Sequence, residues 1–291
     1  MRTVLLASLG LALIAGSARA SAQVWDQSWD VTTPADVHVV AGDAHVRVHA
    51  GPAGKVKAHV EYELKTWGVV LGRNAPAVVF EHKSDQIWIT LHDPKGIGVF
   101  GGMDERFVVD VTVPDQSQLS VRTGDGAIDC SEPLSGRFIL ESGDGAIRAR
   151  GLKGDIDVSC GDGRVTLDDL EGRLRARTRD GHLSAAGRFD NLDLSAGDGR
   201  VDAFVRSGSR VSVPWNVETG DGAVSLKIPH DLSALLDART RDGHINVQLP
   251  IQVQGRIQGH DLVGELNGGG PSFRIRTGDG SITLRKTTRT T

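Results

Sequence analysis

Along most of the chain, apolar side chains occupy every second position in short runs, and the runs break at a turn built on Gly-Asp-Gly or a close variant. The central acid of that turn recurs at Asp125, Asp144, Asp162, Asp180, Asp198, Asp221, Asp242 and Asp279, with first intervals of 19, 18, 18 and 18 residues. Six positions before the acid stand Leu119, Phe138, Ile156, Leu174, Leu192, Trp215, Leu236 and Phe273. Four before it stand Val121, Leu140, Val158, Ala176, Leu194, Val217, Ala238 and Ile275, and three after it Ile128, Ile147, Val165, Leu183, Val201, Val224, Ile245 and Ile282. A period of two marks a strand with one buried face, so each unit reads strand, turn, strand, turn. The second turn has its own signature in Leu134-Ser135-Gly136, Leu152-Lys153-Gly154 and Leu170-Glu171-Gly172.

Two all-β architectures accommodate this pattern. Asp-Gly between alternating strands is a hairpin signal, which would give an antiparallel β-sandwich of hairpins. The rival is a parallel β-solenoid of roughly 18-residue coils, with equivalent residues about 4.8 Å apart up the stack. The outward positions favour the solenoid. Five before the acid the series runs Asp157, Arg175, Asp193, and three before it begins Arg122, Glu141. Opposite charges at equivalent sites are useful only where those sites are neighbours. A small or hydroxyl residue also recurs two before the acid (Thr123, Ser142, Cys160, Thr178, Ala196, Thr219, Thr240, Thr277), as a stacked inward row would.

The rest of the chain is less regular. Ala41-Gly42-Asp43-Ala44, flanked by Val37, Val39, Val46 and Val48, reads as a degenerate first coil. Between it and Asp125 lie strand candidates at 56–64, 77–91 and 107–113, separated by apolar Gly-containing loops at 67–72 and 96–103. We expect residues 23–115 to form an N-terminal β segment with capping strands, and residues 116–291 the repeat solenoid with a C-terminal cap. Only Asp231 to Leu236 suggests a short helical turn.

Composition and the chain ends narrow the setting. Arg2, the apolar run from Val4 to Ala15, and the small-residue sites Ala18-Arg19-Ala20 and Ala20-Ser21-Ala22 read as a signal peptide over residues 1–22. No later stretch is long and apolar enough to make a transmembrane helix, so an exported protein, periplasmic or extracellular, is expected. A net charge of −4 with both signs interspersed gives no footprint for nucleic acid.

Candidate chemistry is sparse. The Asp125, Asp144, Asp162, Asp180, Asp198 series is a conceivable calcium ladder, but turn-forming acids explain it without a metal. His45, His182 and His244 share the outward position two after the acid. The last two are three units apart in sequence, too far to share an ion. Cys130 and Cys160 fall on inward positions about two coils apart, beyond the reach of a disulfide. Paired acids such as Asp168-Asp169 and Asp155/Asp157 could serve a glycosidase, but no nucleophile or phosphate-loop signature accompanies them. No cofactor is expected.

The segment Val111-Thr112-Val113-Pro114 leading into Leu119-Ser120-Val121-Arg122-Thr123-Gly124-Asp125-Gly126, the serial Ser/Thr-Gly-Asp-Gly turns, and Phe273 to Gly280 closing the series resemble the bacterial putative-adhesin family of domain of unknown function 4097. The resemblance implies a β-solenoid envelope protein and carries over no catalytic residue. Arg179 and Arg241 depart from it, replacing the first turn glycine. The expected function is adhesin-like binding of envelope polysaccharide or protein through the strand faces, with Arg122, Arg175, Arg177, Arg239, Arg274 and Arg276, and with His182 and His244 on the other sheet. The alternatives are a scaffold or envelope-stress accessory gripping a protein through Trp67 and Phe100, and a carbohydrate-active enzyme.

Overall fold

The computed structural model describes residues 19–32, 34–70, 76–93, 99–249 and 259–287, with residues 19, 20, 68–70 and 99–101 described by backbone alone. Most of the expected signal peptide, residues 1–18, lies outside the described residues. The N-terminal part contributes β1 (Arg19–Asp30), β2 (Ala35–Ala41), β3 (His45–Gly51), β4 (Lys55–Val70), β5 (Ala77–Lys83), β6 (Gln86–His92) and β7 (Val99–Pro114). The regular units supply β8 (Gln116–Thr123), β9 (Ile128–Cys130), β10 (Leu134–Ser142), β11 (Ile147–Arg150), β12 (Leu152–Cys160), β13 (Val165–Thr178), β14 (Leu183–Ala196) and β15 (Val201–Val205). The chain closes with β16 (Trp215–Thr219), β17 (Val224–Ile228), β18 (Ala234–Thr240), β19 (Ile245–Gln248), β20 (Asp261–Leu266), β21 (Ser272–Thr277) and β22 (Ile282–Lys286).

Strands that enter the Gly-Asp-Gly turn stack in parallel as a leading sheet, in the order β6-β2-β8-β10-β12-β13-β14-β16-β21-β18. Strands that leave it form a trailing sheet, in the order β7-β3-β9-β11-β13-β14-β15-β17-β22-β19. β13 and β14 serve both sheets because each runs through the corner between them. Equivalent residues are register partners, as in Leu119, Phe138, Ile156 and Leu174. The repeats are therefore coils of a β-solenoid. Their inward side chains form one continuous core, which also takes in the N-terminal segment: Val37 and Val39 pair with Leu119 and Val121.

Antiparallel pairing is confined, among the described residues, to the ends. At one end β1–β4–β7 extends the trailing sheet and the β5–β6 hairpin extends the leading sheet. Across that end Trp29 meets Phe80 with ring centroids 5.7 Å apart, and Tyr62 meets Phe107 at 4.5 Å. At the other end β20 pairs with β18. The expected loop at 67–72 is in fact strand as far as Val70, and Val99 to Met103 of the other expected loop belong to β7, so the two form an arm in which Trp67 faces Gly102. The expected helical turn at 231–236 is a turn followed by β18, whose Ala234, Leu236 and Ala238 alternate inward.

Stacking order departs from chain order at both ends. The coil of β21 and β22 sits between that of β16 and β17 and that of β18 and β19. Likewise the first coil, β2 and β3, lies between β6 and β7 on one side and β8 and β9 on the other. As a result, Trp215 and Phe273, far apart in sequence, pack edge-on at 5.3 Å.

Candidate binding surface

The turns are built for close stacking. A Cβ added at Gly145 would lie 2.1 Å from the Gly126 carbonyl oxygen, and one at Gly163 would lie 2.3 Å from that of Gly145. Only glycine permits that approach. The carbonyls so packed receive hydrogen bonds from the inward row two before the acid. Thr219 Oγ1 donates to Gly199 O at 2.8 Å, Thr277 Oγ1 to Gly222 O at 2.8 Å, and Thr240 Oγ1 to Gly280 O at 2.9 Å. Cys160 Sγ takes the same role toward Gly145 O at 3.3 Å.

The Asp125, Asp144, Asp162, Asp180 and Asp198 ladder is exposed along one edge of the stack. Arginine occupies the first turn position twice and answers the acids: Arg179 lies 3.6 Å from Asp162, and Arg241 reaches Asp279 at 2.6 Å and Asp242 at 3.3 Å. Among the described residues, no group of three or more His, Cys, Asp or Glu is placed to hold a metal ion.

On the leading face most of the expected contact arginines are held in ion pairs. Arg122 pairs with Glu141 at 2.6 Å, Arg175 with Asp193 at 3.2 Å and Arg276 with Asp237 at 2.5 Å, each on a neighbouring coil, while Arg239 pairs with Asp237 of its own strand at 3.2 Å. The Arg276 and Arg239 guanidiniums hold the Asp237 carboxyl below its usual range, outweighing a burial that raises it. Arg177 and Arg274 are exposed, and among the described residues neither forms an ion pair or hydrogen bond.

On the trailing face, His182 Nε2 lies 2.8 Å from Asp202, Arg164 lies 3.2 Å from His182 Nδ1, and Arg200 closes on Asp202 at 2.9 Å. His244 is separated from this group by more than the three units expected: the inserted coil puts it four coils away, with its ring 6.4 Å from His260. Beside Asp202 the face dips into an open depression of about 380 Å³. Phe204, Lys227 and Arg285 line it together with the hydroxyls of Ser184 and Ser225. Lys227 Nζ stands 5.8 Å from the centre of the Phe204 ring. Sequence reasoning missed these residues because it ranked the turn-proximal positions. The available signal was two cations, Lys227 and Arg285, at the same offset in their repeats.

The Toastrack DUF4097 family model matches residues 35–285. The chain belongs to this family. Its fold is similar to solved structures at low identity. A putative cell adhesion protein from Clostridium sporogenes is 14% identical, with 91% of this chain and 100% of that one covered and a TM-score of 0.33. A putative adhesin from Bacteroides fragilis is 11% identical, with 90% and 97% covered and a TM-score of 0.38. One from Parabacteroides merdae is 8% identical, with 90% and 96% covered and a TM-score of 0.32. No curated protein matches the chain.

Other chemical groups of this Toastrack stack have structural partners. Arg206 binds both Asp168 and Asp169, and Asp155 lies 3.8 Å from Arg173. Cys130 and Cys160 are buried and unlinked, and burial pushes the Cys130 thiol up to about 12. His49 bridges Glu132 at 3.1 Å and Asp110 at 3.3 Å. Burial lowers its proton affinity, but the hydrogen bonds to Glu132 and Asp110 outweigh it and the net shift is upward. Trp67 is 57% exposed, yet its indole fills the place a side chain at Gly102 would take. Phe100 lies in β7 opposite Val69, and its side chain is outside the described residues. Among the described residues no helix is long and apolar enough to cross a membrane.

Proposed function

We propose that the chain is an exported, non-catalytic, adhesin-like protein that holds an envelope polysaccharide along an outward strand face. The observation that carries this reading is the contrast between the two faces. On the leading face the expected contact arginines other than Arg177 and Arg274 are held in ion pairs, whereas the trailing face carries a depression in which two cations unpaired among the described residues, hydroxyls and an aromatic ring are open to a ligand. A saccharide asks for that mixture: ring faces pack on an aromatic side chain while hydroxyls exchange hydrogen bonds with polar groups around it.

The acid pairs support binding over chemistry. Asp168, Asp169 and Asp155 each lie in an ion pair with an arginine, a structural use of these carboxylates. The sequence of residues 1–22 supports export, and a cleavage near Ser21 or Gln23 leaves most of β1 in place.

Retention of the full chain on immobilised envelope polysaccharide, with the eluate assayed for new reducing ends, tests the reading. Retention without bond cleavage is expected. Release of reducing ends would replace it with a carbohydrate-active enzyme, and passage through the column would remove polysaccharide as the ligand.

A further inference from the structure

Among the described residues, two pairs of cations are direct register partners on neighbouring coils: Arg239 and Arg276, which share the Asp237 carboxylate, and a pair on the trailing face that shares no acid. Elsewhere, outward cations at equivalent positions of neighbouring coils face acids: Arg122 faces Glu141, Arg150 faces Asp168, Lys153 faces Glu171 and Arg175 faces Asp193. Lys227 of β17 and Arg285 of β22 are direct register partners of the same sign. The row they share continues to Phe204 on one side and Gln248 on the other, so it offers no acid to either. Among the described residues neither cation forms an ion pair. Like charges directly opposite on a sheet face cost stability, and within the row only the Phe204 ring, 5.8 Å from Lys227 Nζ, offsets any of that cost.

Resting on the polysaccharide reading above, we infer that Lys227 and Arg285 form an anion subsite that selects an acidic polysaccharide, one bearing carboxylates on its sugar units. A carboxylate set between the two cations would supply the missing opposite charge. The guanidinium of Arg285 offers a planar fork that fits a carboxylate, and Lys227 adds a point charge. Phe204, half-exposed beside Lys227, gives the sugar ring a face to pack on, and Ser184 and Ser225 border the same depression. Arg200 contributes little to this anion, since Asp202 already neutralises it at 2.9 Å. An anionic bilayer fits the site less well. The chain carries a net charge of −4, and the cations lie in a small depression beside Asp202 rather than on a broad basic surface.

The test is calorimetric titration of the full chain with polygalacturonate and with its fully methyl-esterified form, repeated for the double variant K227Q/R285Q and for R285E. The acid form is expected to bind at least tenfold more tightly than the ester, and the double variant to lose at least tenfold. R285E places an acid beside Lys227, so it should melt at or above the wild-type temperature while losing the same affinity. That pairing of outcomes separates a lost ligand contact from a damaged fold. Equal binding of acid and ester, or unchanged binding by the double variant, overturns the subsite. If the double variant is still retained on envelope polysaccharide, the adhesin reading survives and only the subsite falls. If the wild type binds no polysaccharide, both fall. Capture of phosphatidylglycerol vesicles that is lost in the double variant would assign the pair to a lipid phosphate and overturn the proposal.

Discussion

Between Thr123 and Thr277, the inward row two before the turn acid carries a donor everywhere except at Ala196. By its place in the stack, a hydroxyl there would meet the carbonyls of Arg179 and Gly181, as Thr219 meets those of Gly197 and Gly199. Ala196→Thr is therefore expected to stabilise the fold by about 0.5–1.5 kcal/mol in chemical denaturation, the net value of a buried hydrogen bond. Cys160, a weak donor in the same row, should accept threonine without loss. The histidines of β3 carry opposite pH signatures. His49, with its proton affinity raised, contributes stability that is fully present below its unfolded value of 6.5 and lost as pH rises through its folded value. Its partner Glu132 is held below its usual range by the hydrogen bonds from His49 and the Ala50 amide, and contributes above 4.5. The deficit of His49→Asn should thus be largest between pH 4.5 and 6.5 and shrink at higher pH. His45 behaves in reverse: burial and Arg47 lower its proton affinity, so charging it costs stability as pH falls below 6.5. Urea melts across this range check both signs.

At the scale of strands and turns, the second glycine of each Gly-Asp-Gly is fixed by backbone contact rather than by a special dihedral angle. Gly163→Ala would drive its Cβ to within 2.3 Å of the Gly145 oxygen, and because the obstacle is backbone in a packed stack it cannot swing aside. We expect a loss of about 3 kcal/mol or more, visible as a fallen melting temperature. This much was legible in the sequence, because turn glycines and alternating apolar positions report local geometry directly. The outward pairs Arg122 with Glu141 and Arg175 with Asp193 were legible too, and they separated parallel coils from hairpins. The arm of β4 and β7 was not. Its Gly68 and Gly101 look like loop residues, and only the opposite strand shows that Trp67 covers a glycine across the pair. β18 was legible in part: Leu236 and Ala238 fall on the core rows of the repeat, but Leu-Ser-Ala-Leu-Leu resembles helix and hid the start of the strand.

For the whole molecule, local periodicity is silent about the order in which coils stack. The inserted coil of β21 and β22 could have been suspected only from Trp215 and Phe273, two large rings at the same offset that fill one layer of core together. The insertion has a mechanical consequence. In a solenoid stacked in chain order, losing the last coil exposes one new edge. Here, a chain ending at residue 249 would leave β18 and β19 with no parallel neighbour, since both stack on β21 and β22. Such a truncation should lose far more than one coil's stability and aggregate through the bared β16 and β17 edges, as size-exclusion chromatography and thermal melting would report. The same insertion brings Arg285 beside Lys227 and so creates the anion subsite, which no reading of consecutive repeats could assemble. Hydrogen–deuterium exchange of the full chain, with and without saturating envelope polysaccharide, tests the account most directly. Added protection on β14, β15, β17 and β22 of the trailing face is predicted, with the leading face unchanged. Protection confined to the β4 and β7 arm around Trp67, or to the leading face, would contradict it.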